Sequence, residues 1–402
     1  MTIAIQHLRI LTGLGNTVER ATLLVDGERI TGMGSDRTVR IPRGSTKIDG
    51  RGLTVLPGYI DCHVHLCLGA EADVVAASEQ ESSALSLVKA TELARRTLEA
   101  GFTTVRDVGF RDHGIFTLKR AIEQGLAAGP RIVAAGLAIC MPGGHARFIG
   151  READGVEAVR AAVQAQLDAG AEVIKLIASG GVLTPGTSPD QAQMTVEELT
   201  AAVQVADAHG RHVAAHAHGS SGMKNAVRAG VHSIEHGTLL DEEAGSLMAE
   251  RGVYMVPTLS ALATTAACPA GCGIPDSARD KARSMVKQHQ KSFRSARRRG
   301  VPIAFGTDAG TPFNHHGENA QEFERMVAFG MSPMEAIIAG TSAAARLLRL
   351  DQEIGSIAVR KQADLVFIEG NPLKKIELLR RKDKLVGVMQ RGRFVAGPLS
   401  KT

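Results

Sequence analysis

The chain has 402 residues, 44% hydrophobic and 22% charged, and its 47 Lys and Arg against 42 Asp and Glu give a formal net charge of +5. These proportions exclude a disordered chain, a coiled coil and a collagen. The length allows two or three domains at about 150 residues each, or one large barrel with a small companion. No run of about 18 apolar residues occurs, so no membrane span is expected. The opening MTIAIQHLRI lacks the basic stretch and apolar core of a signal peptide. Trp is absent and Tyr59 and Tyr254 are the only tyrosines, so stacking platforms for bases are scarce and no nucleic-acid partner is expected.

Residues 1–55 read as short strands and turns, with Asp26-Gly27 marking a hairpin. Eight apolar runs follow, at 53–60, 102–108, 131–136, 172–179, 211–217, 231–237, 252–258 and 301–307. Helix-patterned stretches separate most of them, as at 83–101, 155–170 and 195–210. The last opens on a capping box, Thr195 with Glu198. Gly101, Gly170, Gly210 and Gly300 stand where helices should stop. The basic stretch 279–300 reads as a solvated helix face. A second capping box, Ser332 with Glu335, carries Pro333 at the first helical position. Residues 349–402 return to short strands. Eight strand–helix units in order predict an α/β fold: a (β/α)8 TIM-like barrel over 56–348, with a small β-sandwich domain built from 1–55 and 349–402. A doubly wound sheet would open on a Gly-rich phosphate loop after its first strand, and none is present. The five cysteines, Cys62, Cys67, Cys140, Cys268 and Cys272, are an odd number without a secretory signal, which points to a reducing, cytoplasmic setting. Cys268 and Cys272 lack a second pair at zinc-site spacing and read as loop or buried thiols.

A barrel carries its chemistry at the C-terminal ends of its strands. The first run ends in Asp61-Cys62-His63-Val64-His65, and residues two apart on a strand share a face, so His63 and His65 can present two imidazoles to one metal ion. The fourth run carries Lys175, the fifth ends with His216, the sixth with His236 and the eighth with Asp308. Imidazole and carboxylate suit zinc and its neighbours.

The segments PGYIDCHVHL (57–66), VIKLIASGG (173–181), HAHG (216–219), SIEHGTLLD (233–241) and AFGTDAG (304–310) together resemble the amidohydrolase superfamily of metal-dependent hydrolases. The similar branch holds imidazolonepropionase-like proteins and zinc-dependent dipeptidases and carboxypeptidases. The resemblance implies two divalent metal ions, zinc by default. His63 and His65 would bind the first with Asp308, His216 and His236 the second, and Lys175, carboxylated on its amine, would bridge both. It implies attack on an amide carbonyl by a water whose pKa two cations lower from about 15.7 towards 7. Asp308 would take the proton and deliver it to the leaving amine. His145, in MPGGHARFIG (141–150), would stabilise the oxyanion.

His218 shares a face with His216, and either could be the metal ligand. The resemblance favours His216 and leaves His218 for a substrate carboxylate, although relatives often carry Tyr at that second position. Arg147 is a further candidate for holding a carboxylate. His315 and His316 either shape the pocket or fold its loop, while His212 and His232 read as core or bottom-face residues. The expected activity is release of a C-terminal amino acid from dipeptides or N-acyl amino acids. The alternatives are a cyclic-amide or xenobiotic amide or carbamate hydrolase, and a metal-binding barrel without turnover. The resemblance further implies a small-molecule substrate and a homo-oligomer.

Overall fold

In the computed structural model, which describes residues 2–401, the chain divides into two compact units. The first comprises residues up to Asp61, Arg95–Thr104 and the chain from Gly317 onward; the second comprises Cys62–Ala94 and Val105–His316.

The first unit opens with β1 (Ile3–Leu11), β2 (Thr17–Asp26), β3 (Arg29–Ser35), β4 (Thr46–Asp49) and β5 (Leu53–Pro57). Strands β2 and β3 form the antiparallel hairpin expected at Asp26-Gly27. The apolar run 53–60 is not one strand, because Gly58 breaks it. Its amide donates to the Asp364 carbonyl at 2.7 Å, and a Cβ there would lie 2.1 Å from Thr103 Oγ1. Only glycine fits such an approach.

Chain order then gives β6 (Tyr59–Val64), β7 (Phe102–Asp107), β8 (Arg131–Ala134), β9 (Ala138–Cys140), β10 (Gly150–Glu152), β11 (Val173–Ile177), β12 (His212–Gly219), β13 (Ser233–Leu239) and β14 (Tyr254–Val256). They form a sheet in the order β6-β7-β8 and a second, parallel one in the order β10-β9-β11-β12-β13-β14. The eighth apolar run is not a regular strand. Pro302 has no amide proton to give a ladder. Isolated parallel bridges, Met255 with Ile303 and Val64 with Ala309, tie this segment to β14 and β6. The amides of Cys62 and Asp308 donate across to Phe305 and His63 at 2.9 and 2.7 Å. On the other side, the Glu172 amide donates to Ala134, the last residue of β8, at 2.9 Å.

Both capping boxes form, at the helices Val196–Ala208 and Pro333–Ile338. The basic stretch lies in the helix Asp276–Arg298, which buries Ala278, Ala282, Met285, His289, Phe293 and Ala296 at helical spacing. Before it, Cys268 and Cys272 are joined by a disulfide with Cα atoms 6.2 Å apart, where the sequence suggested free thiols. The turn between two helices brings the pair within bridging range. Cys62, Cys67 and Cys140 are free and buried. Among the described residues no helix is long and apolar enough to cross a membrane.

The chain returns to the first unit with β15 (Leu365–Glu369), β16 (Leu385–Gln390) and β17 (Arg393–Ala396). The two ends join one continuous eight-stranded sheet, β17-β16-β15-β5-β1-β2-β3, with β4 beside β1. Both ends of the chain therefore build one β domain. Ile5, Leu8, Ile10, Leu23, Val55, Phe367 and Met389 share its apolar core, which draws on both ends of the chain.

Candidate metal centre and active site

The strand ends of the second unit bring two donor groups together. His63, His65 and Asp308 form one, and His216, His218 and His236 the other; the donor atoms within each group lie within 4.8 Å of one another. The His63 and His65 Nε2 atoms lie 3.4 and 3.3 Å from Asp308 Oδ1. The groups adjoin, with the His63 and His236 ring centroids 5.0 Å apart. All six residues line one cavity, together with His145 and Lys175.

Register explains the placement. Strand pairing aligns Ile177, His216 and Glu235. Glu235 is therefore the residue of β13 that shares a face with His216, and His236 should point away. His236 reaches the cavity because its backbone is left-handed, with φ 71°. Asp308 is also left-handed, at φ 59°. Such a conformation costs a non-glycine residue about 1–2 kcal/mol. Both residues line the cavity, where strain held by the surrounding fold aims a side chain.

Most rings are fixed by a hydrogen-bond partner on Nδ1. His63 Nδ1 lies 2.7 Å from the Glu235 carboxylate, His65 Nδ1 2.8 Å from the Gly109 carbonyl, and His236 Nδ1 2.7 Å from Thr258 Oγ1. Each can donate Nδ1–H and turn its Nε2 lone pair inward. His216 is the reverse: Nε2 faces the Gly180 carbonyl at 3.2 Å, which leaves Nδ1 as the lone pair. His218 Nδ1 meets Thr238 Oγ1 at 2.7 Å. Its ring stacks on His236 at 19°, whereas His216 crosses His236 at 70°.

Burial sets the charge states. It pushes His216, His218 and His236 well below the ordinary imidazole value. It pulls His63 down to about 4, assisted by the Lys175 charge, and His145 to about 3. Neutral imidazoles are the form that binds cations. Burial also lowers His65, but the hydrogen bond and charge of Asp308 outweigh it and the net shift is upward. The Lys175 amine is pushed down to about 8 by burial. Glu235 goes the other way. Burial would raise it, but the Arg106 charge and the His63 hydrogen bond hold it far below the carboxylate range. Arg106 is fully buried and donates to Glu235 Oε1 at 2.8 Å and to the Cys62 carbonyl at 2.6 Å.

His145 is buried against the loop that follows β11. Its Nδ1 lies 2.8 Å from Thr184 Oγ1, which also accepts from the Ala146 amide at 3.4 Å. Gly181 packs on the ring so closely that a Cβ would meet Nε2 at 2.2 Å. Lys281 fixes this loop from the helix Asp276–Arg298, with Nζ donating to the carbonyls of Gly181, Thr184 and Thr187 at 3.3, 3.1 and 2.7 Å. Two turns along the same helix, His289 Nε2 donates to the His236 carbonyl at 3.0 Å. Ser292 Oγ donates to the Thr238 carbonyl at 2.8 Å.

Other candidates stand apart. Arg147 is exposed on a short helical turn and does not line the cavity, because Ala146, left-handed at φ 62°, turns the chain before it. His315 is exposed, and His316 is buried with Nε2 3.1 Å from the His65 carbonyl, so it anchors its loop. His212 begins β12, at the end opposite His216 and His218, and His232 immediately precedes β13. The Val213 amide donates to His232 Nδ1 at 3.1 Å. Glu235, Arg106, Lys281, His289 and Thr184 carry no role in the sequence reading. Strand register could have found Glu235, because it is the inward residue beside His216.

The amidohydrolase family description matches residues 54–395, and the chain belongs to that family. It is an enzyme of the hydrolase class, with grouped His and Asp residues suited to metal ions. A Xaa-Pro dipeptidase with methionine bound in its active site is similar, with a TM-score of 0.91 at 37% identity over 99% of this chain and 100% of that one. A prolidase complexed with N-methylphosphonate-L-proline matches with a TM-score of 0.91 at 34% identity, over 98% of this chain and 99% of that one. The ochratoxinase of Aspergillus niger is 31% identical over 425 residues, which cover 97% of this chain and 85% of that protein.

Proposed function

We propose that this chain is a two-metal amidohydrolase that releases a C-terminal amino acid from dipeptides or N-acyl amino acids. The observation that carries the proposal is the convergence of two donor groups on one cavity, with hydrogen-bond partners fixing the rings. The donors fit zinc or a similar ion. His63, His65 and Asp308 would hold one ion, and His216 and His236 the other. His216 is assigned over His218 because the His218 and His236 rings are stacked, so their in-plane lone pairs run parallel instead of converging. Lys175, carboxylated on its amine, would stand between the two groups. An amine lowered to about 8 has enough of its free base at neutral pH to react with carbon dioxide, and a carbamate supplies an anionic oxygen where an ammonium has no lone pair. When bound, such ions polarise an amide carbonyl and lower the pKa of water.

The chain's own residues supply the rest. Asp308 takes the proton of the attacking water and returns it to the leaving nitrogen. The Thr184 hydroxyl accepts from Ala146 and can donate to His145 Nδ1. His145 then keeps its proton on Nε2, where it meets the oxygen of the polarised carbonyl. His218 receives the substrate carboxylate. The bridges from 302–309 to β14 and β6 support reading the two parallel arcs as one closed eight-stranded barrel around this site.

The test is metal analysis followed by amino-acid release. Protein purified with zinc should hold two ions per chain and liberate free amino acid from members of a dipeptide and N-acyl amino acid library. Zinc-replete protein that releases none refutes the reading.

A further inference from the structure

Strand β13 carries a bulge where it reaches the cavity. Its pairing with β12 runs Glu235 with His216, His236 with Ala217 and then Leu239 with Gly219, so β13 has one residue more than its partner over that stretch. His236 and Gly237 are both left-handed there, at φ 71° and 63°. A regular strand would put His236 on the face of Ile234, away from Glu235 and His216. The bulge is what lets two adjacent residues, Glu235 and His236, both serve the donor groups.

A bulge interrupts the ladder and leaves buried carbonyls that need other donors. Pairing of β13 with β14 ends at Glu235 and Val256. Beyond that point the helix Asp276–Arg298 supplies the donors. His289 Nε2 donates to the His236 carbonyl at 3.0 Å, and Ser292 Oγ to the Thr238 carbonyl at 2.8 Å. These are the carbonyls on either side of Gly237. The two donors are three residues apart, on one face of their helix, and both are buried. The Gln288 side-chain amide donates to Ser292 Oγ at 3.4 Å, which leaves the hydroxyl proton for Thr238.

The His236 ring has its own hold. Thr258 precedes the helix Leu259–Ala267, at the position where a threonine ordinarily caps with its hydroxyl, as Thr195 does from extended backbone. Thr258 makes no such cap. It is left-handed at φ 48°, a conformation rare for a β-branched residue, and its Oγ1 lies 2.7 Å from His236 Nδ1. The His289 ring also faces the carbonyl of Pro257, immediately before Thr258. One buried histidine thus ties together the two segments whose left-handed residues meet at the His236 ring.

We propose that His289 is a positioning residue for the second metal ion, an inference that rests on the two-metal reading of the site: with Ser292 it holds the bulge that delivers His236. His289 does not itself line the cavity. Without its hold the bulge relaxes towards a regular strand, His236 turns to the outer face and the second donor group loses a ligand. His63, His65 and Asp308 stand on other segments and keep their places.

The experiment titrates metal-free protein with zinc against a chromophoric chelator, which counts the ions and gives an affinity for each without any substrate. Wild-type protein should take up two. In His289→Leu the second should bind about 10–100-fold more weakly, the scale for losing a group that orients a metal-bound histidine, while the affinity of the first is unchanged. His289→Gln, which can still donate from Nε2, should recover part of the difference. Ser292→Ala should weaken the second ion about tenfold, and it decides the matter if His289→Leu does not fold. Unchanged affinity for the second ion in these variants overturns the inference and leaves the two-metal reading standing. Equal weakening of both ions marks a general loosening of the fold and also overturns it. Wild-type protein that takes up no second zinc refutes the two-metal reading, and the inference with it.

Discussion

Replacing Lys281 with Met keeps the stem and removes the cation. In the native protein that cation satisfies three carbonyls of the loop that orients His145. Charge-assisted bonds contribute about 1.5–3 kcal/mol each, but Lys281 is partly exposed and water replaces some of the loss. A net weakening of about 2 kcal/mol in the hold on the loop is the expected size, equivalent to about 30-fold in kcat. The ring of His145 shifts rather than disappears, so the loss should fall on kcat with KM little changed. The assay is a double-mutant cycle on the best N-acyl substrate, with Lys281→Met measured alone and in a His145→Ala background. If Lys281 acts through His145, its effect in that background should shrink to less than about threefold, and Lys281→Arg should recover part of the wild-type rate. An undiminished 30-fold loss without His145, or an unchanged kcat with it, refutes the argument.

Three further predictions concern the same unit. Gly181→Ala places a Cβ where it would meet His145 Nε2 at 2.2 Å, so the ring must swing away; kcat should fall about 100-fold and overpacking should cost about 1–3 kcal/mol in urea unfolding, and a fully active variant would show that His145 does not touch the reacting group. Asp308→Asn should lower kcat by about 10²–10⁴ and also reduce metal content, measured by elemental analysis. Glu235→Gln leaves the fully buried Arg106 without its counter-charge, which should cost about 3 kcal/mol or more in urea unfolding. The same carboxylate predicts a pH dependence. Its folded value is held below the ordinary 4.5 because the Arg106 charge and His63 outweigh burial. The stability it contributes is therefore complete above about pH 4.5 and is lost as pH falls towards the folded value. Metal-free wild-type protein should show that decline in urea midpoint, and Glu235→Gln should show a flatter curve.

The sequence makes one part of the site easy to read and hides the other. His63 and His65 lie two apart at a strand end, and His216 and His218 share an inward face, so alternation alone brings both pairs to the cavity. Glu235 and His236 are adjacent, and alternation allows only one of them inside. Both are used because His236 is left-handed, and no residue pattern announces a positive φ outside glycine. Lys281 and His289 are harder still. Their helix is rich in Arg and Lys and reads as a solvated face, yet the stripe through Met285 and His289 is buried. A lysine that caps a loop's carbonyls looks, in sequence, like any surface lysine. Gly58 shows the opposite failure: a continuous apolar run conceals a break imposed by the approach of Thr103. Arg147, two residues from His145, is turned outward by a single left-handed alanine.

The pairing of β5 with β15 bears on how the chain is made. Strand β5 lies between β1 and β15, and its partner Leu365–Glu369 follows it by about 300 residues. At about 5–20 residues per second, a ribosome needs roughly 15–60 s to deliver that partner. Throughout that interval the nascent chain carries the edge Leu53–Pro57, an apolar strand with one side unpaired, while the whole metal-binding unit is being synthesised and folded. Such an edge is a template for association with other chains. Yield in expression should therefore depend on elongation speed and on co-translational chaperones. A frameshift or early stop before residue 365 should give insoluble protein even though every candidate metal ligand has already been translated.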